Sequence, residues 1–490
     1  MYYIGVDLGT SAVKLVLMES KGAVVNTVSK EYPLIFPKPG WSEQEPKHWK
    51  EAVLEGIVEL VKDVDKSQVA GIGFGGQMHG LVALDENDEV IRPAILWNDG
   101  RTQKETDYLN NVITKEVLSA ETANIAFAGF TAPKILWMKE NEPDNFAKIK
   151  KIMLPKDYIA YVLSGVFSTD YSDASGMLLL DVKNKKWSEK MCEICGITTD
   201  MLPKLYESYE VTGTLKPEYA EKFGFGPDVK IVAGAGDNAA AAVGTGVVGE
   251  GGCNISLGTS GTVFISSKKF GVDSNNALHS FDHADGGYHL MGCMLSAASC
   301  NKWWMEEIMK TDAFAEEQKA IDKLGENHVF FLPYLMGERS PHNNPNARGT
   351  LIGMTMDTTR ADMYQAVLEG VVFGLRDSIE VAKSLGINLT KTRVCGGGAK
   401  SPLWRKMLTN ILNMEVERIT SEEGPGLGGA MLAAVGCGEY ATVEDAAKAI
   451  VQVLDVEKPD PELAKKYEER YQQFKQIYPA CKPVFDVING

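Results

Sequence analysis

Cysteine is scarce, eight in 490 residues. That is too few for the disulfide frameworks that staple small secreted domains. One CxxC, Cys192 to Cys195, has no second pair at zinc spacing and reads as structural. No GxxxxGK run followed by Ser or Thr occurs, which excludes a Walker-type phosphate loop. Basic residues are outnumbered, 50 Lys+Arg against 66 Asp+Glu, for a formal net charge of −16. This balance argues against nucleic acid or an anionic membrane as the main partner and leaves a local anion site open. Long apolar runs are missing too. The most apolar stretch, 231–248, is broken by Asp237 and Asn238 and is rich in Gly and Ala, so it is not a membrane span. Residues 1–7 lack the basic start of a secretory signal. The expectation is a reduced, cytoplasmic protein large enough for two to four domains.

Repetition is what the chain does have. Leu8-Gly9-Thr10-Ser11 recurs as Leu257-Gly258-Thr259-Ser260. Ala241-Ala242-Val243-Gly244-x-Gly246 recurs, in the same order, as Ala433-Ala434-Val435-Gly436-x-Gly438. Two copies of one α/β unit with unequal insertions explain both matches. The glycine-rich run 246–252 is the expected hinge.

Hydrophobic periodicity supports an α/β class. Residues 47–64 predict a helix with Val53, Ile57, Val58 and Val61 inward, and 363–379 predict another. Strands are expected at 3–6, 13–17, 69–74, 229–233, 254–256, 262–266 and 393–395. A C-terminal packing helix starts from Asp460 as N-cap and Pro461 at the first position, with Leu463, Tyr467, Tyr471, Phe474 and Tyr478 as its apolar face.

Each Gly-Thr-Ser turn offers backbone N–H groups and two hydroxyls where the chain can approach a ligand closely. Two such loops on facing domains would grip a polyphosphate; the alternative is a pair of ordinary hairpin turns. Asp7 precedes the first loop and Ser256 the second. A carboxylate beside a phosphate loop needs a cation between them, which suggests Mg²⁺ on one side only; the alternative is an Asp that closes the turn. Asp237 follows a strand and a glycine run and leads into an Ala-rich helix, at the hinge. It suits a helix cap and a general base equally. Gln77-Met78-His79 leaves a glycine-rich strand and suits either a structural role or a polyol contact. The runs 71–76 and 424–429 both satisfy GxGxxG, and neither has the context of a dinucleotide fold.

Taken in order, Asp-Leu-Gly-Thr-Ser, Gln-Met-His-Gly, Gly-Asp-Asn, the second Leu-Gly-Thr-Ser-Gly and Gly-Gly-Gly-Ala resemble the FGGY carbohydrate kinases of the sugar kinase–Hsp70–actin superfamily. Residues 129–141 resemble the family's first signature. Residues 97–101, 154–158 and 337–345 are similar to its subgroup acting on a five-carbon ketose. Ala12 departs from a frequent Gly. The resemblance implies two duplicated ribonuclease H-like (actin-like ATPase) domains with a central cleft: 1–247, sugar-binding, and 248–490, ATP-binding. It implies Asp237 as general base, and Gln77, Met78, His79 and Asn238 as the sugar-site residues. It implies Asp7 orienting hydrated Mg²⁺, Thr10, Ser11, Gly258 and Thr259 lining the phosphates, and Gly397, Gly398 and Lys400 near the adenosine. ATP and Mg²⁺ are the implied cofactors, and a homodimer fits the family. Competing readings are a kinase for ribulose, glycerol or a related polyol, and an actin- or Hsp70-like ATPase. The polar Gln-Met-His-Gly loop suits a small polyol and speaks against the last.

Overall fold

The computed structural model of the chain describes residues 1–420 and 423–488. Two seven-stranded mixed sheets organise it. In the first, the order is Val211–Thr214, Lys230–Val232, Val69–Gly76, Tyr2–Leu8, Ala12–Glu19 and Val24–Glu31, with Ala235–Gly236 also paired to Val69–Gly76. In the second, it is His279–Asp282, Tyr288–Met294, Gly261–Ser267, Cys253–Leu257, Lys391–Cys395, Glu415–Ile419 and Val453–Glu457.

The two sheets share one plan. An antiparallel hairpin carries each Gly-Thr-Ser turn: Tyr2–Leu8 with Ala12–Glu19, and Cys253–Leu257 with Gly261–Ser267. A strand from later in the chain then pairs in parallel with the hairpin's first strand: Val69–Gly76 in one, Lys391–Cys395 in the other. This is a two-domain α/β fold built by duplication.

The repeated Ala-Ala-Val-Gly runs lie on two helices, Asp237–Gly244 and Gly424–Gly436, which pack on each other across the halves. Gly424–Gly436 also lies on the sheet of the first half. Glycine permits this contact. A Cβ on Gly5 would stand 1.8 Å from the Gly426 carbonyl oxygen, and one on Gly73 would stand 2.1 Å from that of Gly429. The two GxGxxG runs therefore face each other, and their glycines serve backbone-to-backbone packing. Gly246, Gly249 and Gly251 in the connecting run all have positive φ, between 71° and 73°.

Most expected elements form, with ends shifted by a few residues. The helix Pro46–Leu60 buries Val53, Ile57 and Val61 beside it, but Val58 is 40% exposed because a five-residue step leaves the helix face. Asp460 caps the C-terminal helix, its Oδ1 accepting from the amides of Glu462 and Leu463 at 2.9 and 3.1 Å. That helix buries Tyr467, Tyr471 and Phe474, while Leu463 and Tyr478 pack at the margin. Cys192 and Cys195 are buried on the helix Glu189–Cys195, and burial raises both thiol pKa values. Among the described residues no helix is long and apolar enough to cross a membrane.

Candidate active site

Asp7 stands near the end of Tyr2–Leu8, opposite Lys14 on one neighbouring strand and Gly75 on the other. The turn after it is held from several sides. Gln44 Nε2 donates to the Thr10 carbonyl at 2.6 Å, and Trp97 Nε1 donates to Thr10 Oγ1 at 2.9 Å. The Tyr32 hydroxyl donates to the Gly9 carbonyl at 2.5 Å, and its amide donates to the Ser11 carbonyl at 3.1 Å. Ala12 does not take positive φ, so its departure from Gly carries no backbone strain.

Asp237 opens the helix Asp237–Gly244 at its first position, with Gly236 at the cap. Its Oδ1 accepts from the Asn238 amide at 2.7 Å and from Asn238 Nδ2 at 3.0 Å. Its Oδ2 accepts no hydrogen bond from the described residues. Burial pushes Asp237 up to about 6, with the Asn238 amide opposing. Asp7 is pushed up to about 7, first by burial and then by the charge of Asp237, against the pull of Lys14. Two acids thus share one poorly solvated space.

Behind them lies a third group of charges. Lys156 is fully buried, with Asp157, Asp170 and Asp173 at 2.6, 2.9 and 3.6 Å from its Nζ. Asp170 accepts from Ser172 Oγ at 2.5 Å, and Ser172 Oγ accepts the Gly236 amide at 3.2 Å. A chain of hydrogen bonds therefore fixes the backbone just before the Asp237 carboxylate. Asp173 is raised well above its usual range, mainly by burial, with the charge of Asp237 contributing.

His79 sits at φ 68°, a conformation that non-glycine residues adopt rarely, with His, Asn and Asp the more tolerant of them. Its carbonyl accepts from Thr131 Oγ1 at 3.0 Å and from Lys134 Nζ at 2.8 Å. Burial drives the fully enclosed Lys134 down to about 7. The imidazole stacks on Phe130, centroids 4.7 Å apart, and its Nδ1 lies 2.7 Å from the Gly176 carbonyl. A carbonyl only accepts, so Nδ1 carries the proton and Nε2 is an acceptor. Burial holds the ring neutral, at about 3, with Lys134 and Arg339 adding to the shift. Met78 is buried beside Asn238, whose Nδ2 lies 3.9 Å from its sulfur.

Gln77 is placed differently from its neighbours. It is buried, and its Nε2 donates to Gln44 Oε1 at 3.0 Å and to the Gly9 carbonyl at 3.3 Å. It braces the first loop, whereas His79, two residues further on and past the end of the strand Val69–Gly76, takes φ 68° and directs its ring to Gly176 and Phe130.

The second loop is open. A cavity of about 910 Å³ is lined by Gly258, Thr259, Gly397, Gly398 and Lys400 together with Asn301. The loop's carbonyls are occupied, Gly258 by the Ala298 amide at 2.8 Å and Thr259 by the Ala297 amide at 3.0 Å. Gly396, at φ 89°, runs against Leu257, where a Cβ would stand 2.7 Å from its carbonyl. That contact sets the Gly397-Gly398 backbone on the cavity wall. Thr10 and Ser11 belong to the other loop and do not line this cavity.

Residues 2–244 match the N-terminal domain of the FGGY family of carbohydrate kinases, and residues 253–437 match its C-terminal domain. The chain belongs to the FGGY family of carbohydrate kinases. It is 41% identical to the xylulose kinase of Lactococcus lactis over 485 residues, 97% of this chain and 96% of that one. It is 40% identical to the xylulose kinase of Escherichia coli over 489 residues, 98% and 99% of the two chains. A crystal structure of a xylulose kinase from Brucella ovis superposes with a TM-score of 0.93 at 36% identity, covering 99% of this chain and all of the other. The protein is an ATP-dependent carbohydrate kinase.

Among the described residues no three His, Cys, Asp or Glu side chains converge as a metal set. Phosphoryl transfer from ATP calls for a cation on the phosphate oxygens, and a hydrated Mg²⁺ needs few direct protein ligands. The paired, poorly solvated Asp7 and Asp237 carboxylates fit that requirement. Lys134, Lys156, Asp170, Gly176 and Asn301 support or line the site and were given no role from the sequence. Lys134 and Lys156 do lie in segments 129–141 and 154–158, which carried the family resemblance. A single sequence gives no sign that a lysine is fully buried.

Proposed function

We propose that this kinase transfers the γ-phosphoryl group of ATP to the terminal hydroxyl of D-xylulose, giving D-xylulose 5-phosphate. The first half, 1–247, holds the sugar and the second, 248–490, holds the nucleotide. The observation that carries the reading is the Asp237 carboxylate. It is half-buried, its Oδ2 accepts no hydrogen bond from the described residues, Asn238 donates to its Oδ1, and Met78 lies against Asn238.

In this reading Asn238 fixes the Asp237 carboxylate through Oδ1, and Oδ2 takes the proton from the sugar hydroxyl. The new oxygen–phosphorus bond forms as the bond from γ-phosphorus to the bridging oxygen breaks in line. A base near 6 is ionised at neutral pH and remains basic enough to share a proton in the transition state. Asp7 would hold a hydrated Mg²⁺, which would supply positive charge against the phosphate oxygens. Thr10 and Ser11 face the phosphates from the first half, and Gly258 and Thr259 from the second. Gly397, Gly398 and Lys400 border the adenosine. Closure of the halves excludes water as a competing acceptor.

The test is ADP release with a panel of ketoses and polyols. D-xylulose should give the highest kcat/KM. A higher value for ribulose or glycerol would overturn the substrate assignment and leave the family intact.

A further inference from the structure

Lys156 is buried among three aspartates, whereas Lys134, equally buried, makes no ion pair among the described residues. The charge of Asp99 reaches it, and that of Arg101 opposes the pull. Asp99 is itself committed to the Arg101 guanidinium at 2.7 and 2.9 Å and to the Ser42 amide at 2.6 Å. The partners of Lys134 are two carbonyls, those of His79 at 2.8 Å and Gly129 at 2.6 Å from its Nζ. Burying a cation without a counter-charge is costly, and burial accordingly pulls Lys134 down to about 7. A neutral amine still has two N–H donors, one for each carbonyl, so the contact survives loss of the proton.

Lys134 and Thr131 stand three residues apart on the helix Thr131–Asn141, so both reach one spot. That spot is the His79 carbonyl, which also accepts from Thr131 Oγ1 at 3.0 Å. Phe130, at the cap of the same helix, stacks on the His79 ring. His79 lies past the strand Val69–Gly76 at φ 68°, so its carbonyl has no ladder partner and needs a donor from elsewhere. One turn of helix supplies both donors and the platform for the ring.

The conformation held in this way sets where the ring goes. A Cβ on Gly176 would stand 2.4 Å from His79 Cε1 and 3.0 Å from the Met78 methyl carbon, and one on Gly236, just before Asp237, would stand 3.0 Å from the Met78 sulfur. The ring, Met78 and the backbone before Asp237 therefore meet in one place. Nδ1 is spent on Gly176, and Nε2 has no hydrogen-bond partner among the described residues. We infer that Lys134, together with Thr131, is a positioning residue for the sugar: it holds His79 in the left-handed conformation and so keeps Nε2 available to a hydroxyl. The inference rests on the sugar assignment above. Lys134 has one other route to the site. A Cβ on Gly129 would stand 2.4 Å from the Trp97 carbonyl oxygen, and the Trp97 indole donates to Thr10 in the first loop. An effect by that route would fall on the nucleotide.

The experiment measures D-xylulose and ATP Kd by calorimetry, with Tm, for Lys134→Met, Thr131→Val, Thr131→Ser and His79→Asn, and for each of the first two combined with His79→Asn. Lys134→Met and Thr131→Val keep the size and remove the donor. Each should raise the D-xylulose Kd by no more than His79→Asn does, roughly 2- to 15-fold for one neutral hydrogen bond, and leave the ATP Kd within about twofold. Neither should add to the loss once His79 is replaced, because changes acting through one residue are not additive. Thr131→Ser keeps the hydroxyl and should return toward wild type. Losses that add in full in the combined variants would overturn the inference, as would a larger effect on ATP than on D-xylulose. If Lys134→Met does not fold, the Thr131 series decides alone. A D-xylulose Kd unmoved by His79→Asn would instead overturn the sugar contact of His79, and the inference with it, before any combined variant is compared.

Discussion

The first Leu-Gly-Thr-Ser loop is tied down by Gln44, Gln77, Tyr32 and Trp97, whereas the second borders a cavity of about 910 Å³. The residues are the same and the strand pairing is the same, so the surroundings decide what each loop does. Asp7 and Ser256 occupy matching positions, one residue before Leu8 and Leu257. Asp7 is near enough to Asp237 for that charge to raise its pKa, whereas Ser256 brings no charge to the loop that borders the cavity. Duplication supplies two equivalent frames, and a few side chains then divide the labour between them.

The sharpest way to break that division is to remove the proton acceptor. Asp237→Asn keeps the shape and the bonds from Asn238, yet it should lower kcat by at least about 10²-fold. Retention of more than about a tenth of wild-type kcat would sink the base assignment. The same variant has an opposite effect on stability. The folded state raises Asp237 from 3.8 to about 6, so it binds the proton more tightly than the unfolded chain does. This group therefore favours folding most below about 3.8, and that contribution is lost as pH rises through about 6. Asn has no proton to lose. Ligand-free Asp237→Asn in EDTA should melt above wild type, with the larger gain at pH 8 than at pH 5. The limit is about 3 kcal/mol for a two-unit shift, and equal gains at both pH values would contradict the shift.

Asp7→Ala separates the two loops next. It should raise the Mg²⁺ concentration for half-maximal activity and slow turnover by about 10-fold or more, since several kcal/mol of charge stabilisation depend on cation placement. Ser256→Ala, the matching change in the other loop, should leave the Mg²⁺ curve in place. Superimposable shifts would mean that the asymmetry at this position has no role in metal placement.

The duplication was legible because it depends on local order: repeated words carried on matching strand–turn signals. The close contact of Gly5 with Gly426 and of Gly73 with Gly429 was not legible. Those pairs lie more than 350 residues apart in sequence, and glycine looks the same whether it turns a chain or lets two backbones touch. Gln77 was grouped with Met78 and His79 by adjacency. The structure turns it toward Gln44 and Gly9, because the strand ends at Gly76 and the chain reverses into a left-handed residue at His79, so neighbours in sequence part in space. Lys156 among three aspartates was hidden for a related reason, as only Asp157 is its neighbour in sequence.

The smallest effect is expected at His79, and it sharpens the comparison by touching the sugar half alone. The ring donates through Nδ1 to Gly176, so one acceptor, Nε2, remains for a hydroxyl. Replacing a neutral hydrogen bond costs about 0.5–1.5 kcal/mol, or roughly 2- to 15-fold in affinity. Alanine would add strain at φ 68°, whereas Asn tolerates that conformation. His79→Asn is therefore the cleaner variant. It should raise the D-xylulose Kd within that range and leave the ATP Kd unchanged, as read by separate calorimetric titrations. Burial holds His79 at about 3, so the ring stays neutral across the assay range. The pH profile of kcat/KM should then keep the acid limb that the proposed base, Asp237, would set, in both proteins. Loss of ATP affinity with sugar affinity intact would reverse the assignment of the halves. A displaced acid limb would mean that His79 takes part in the proton transfer itself.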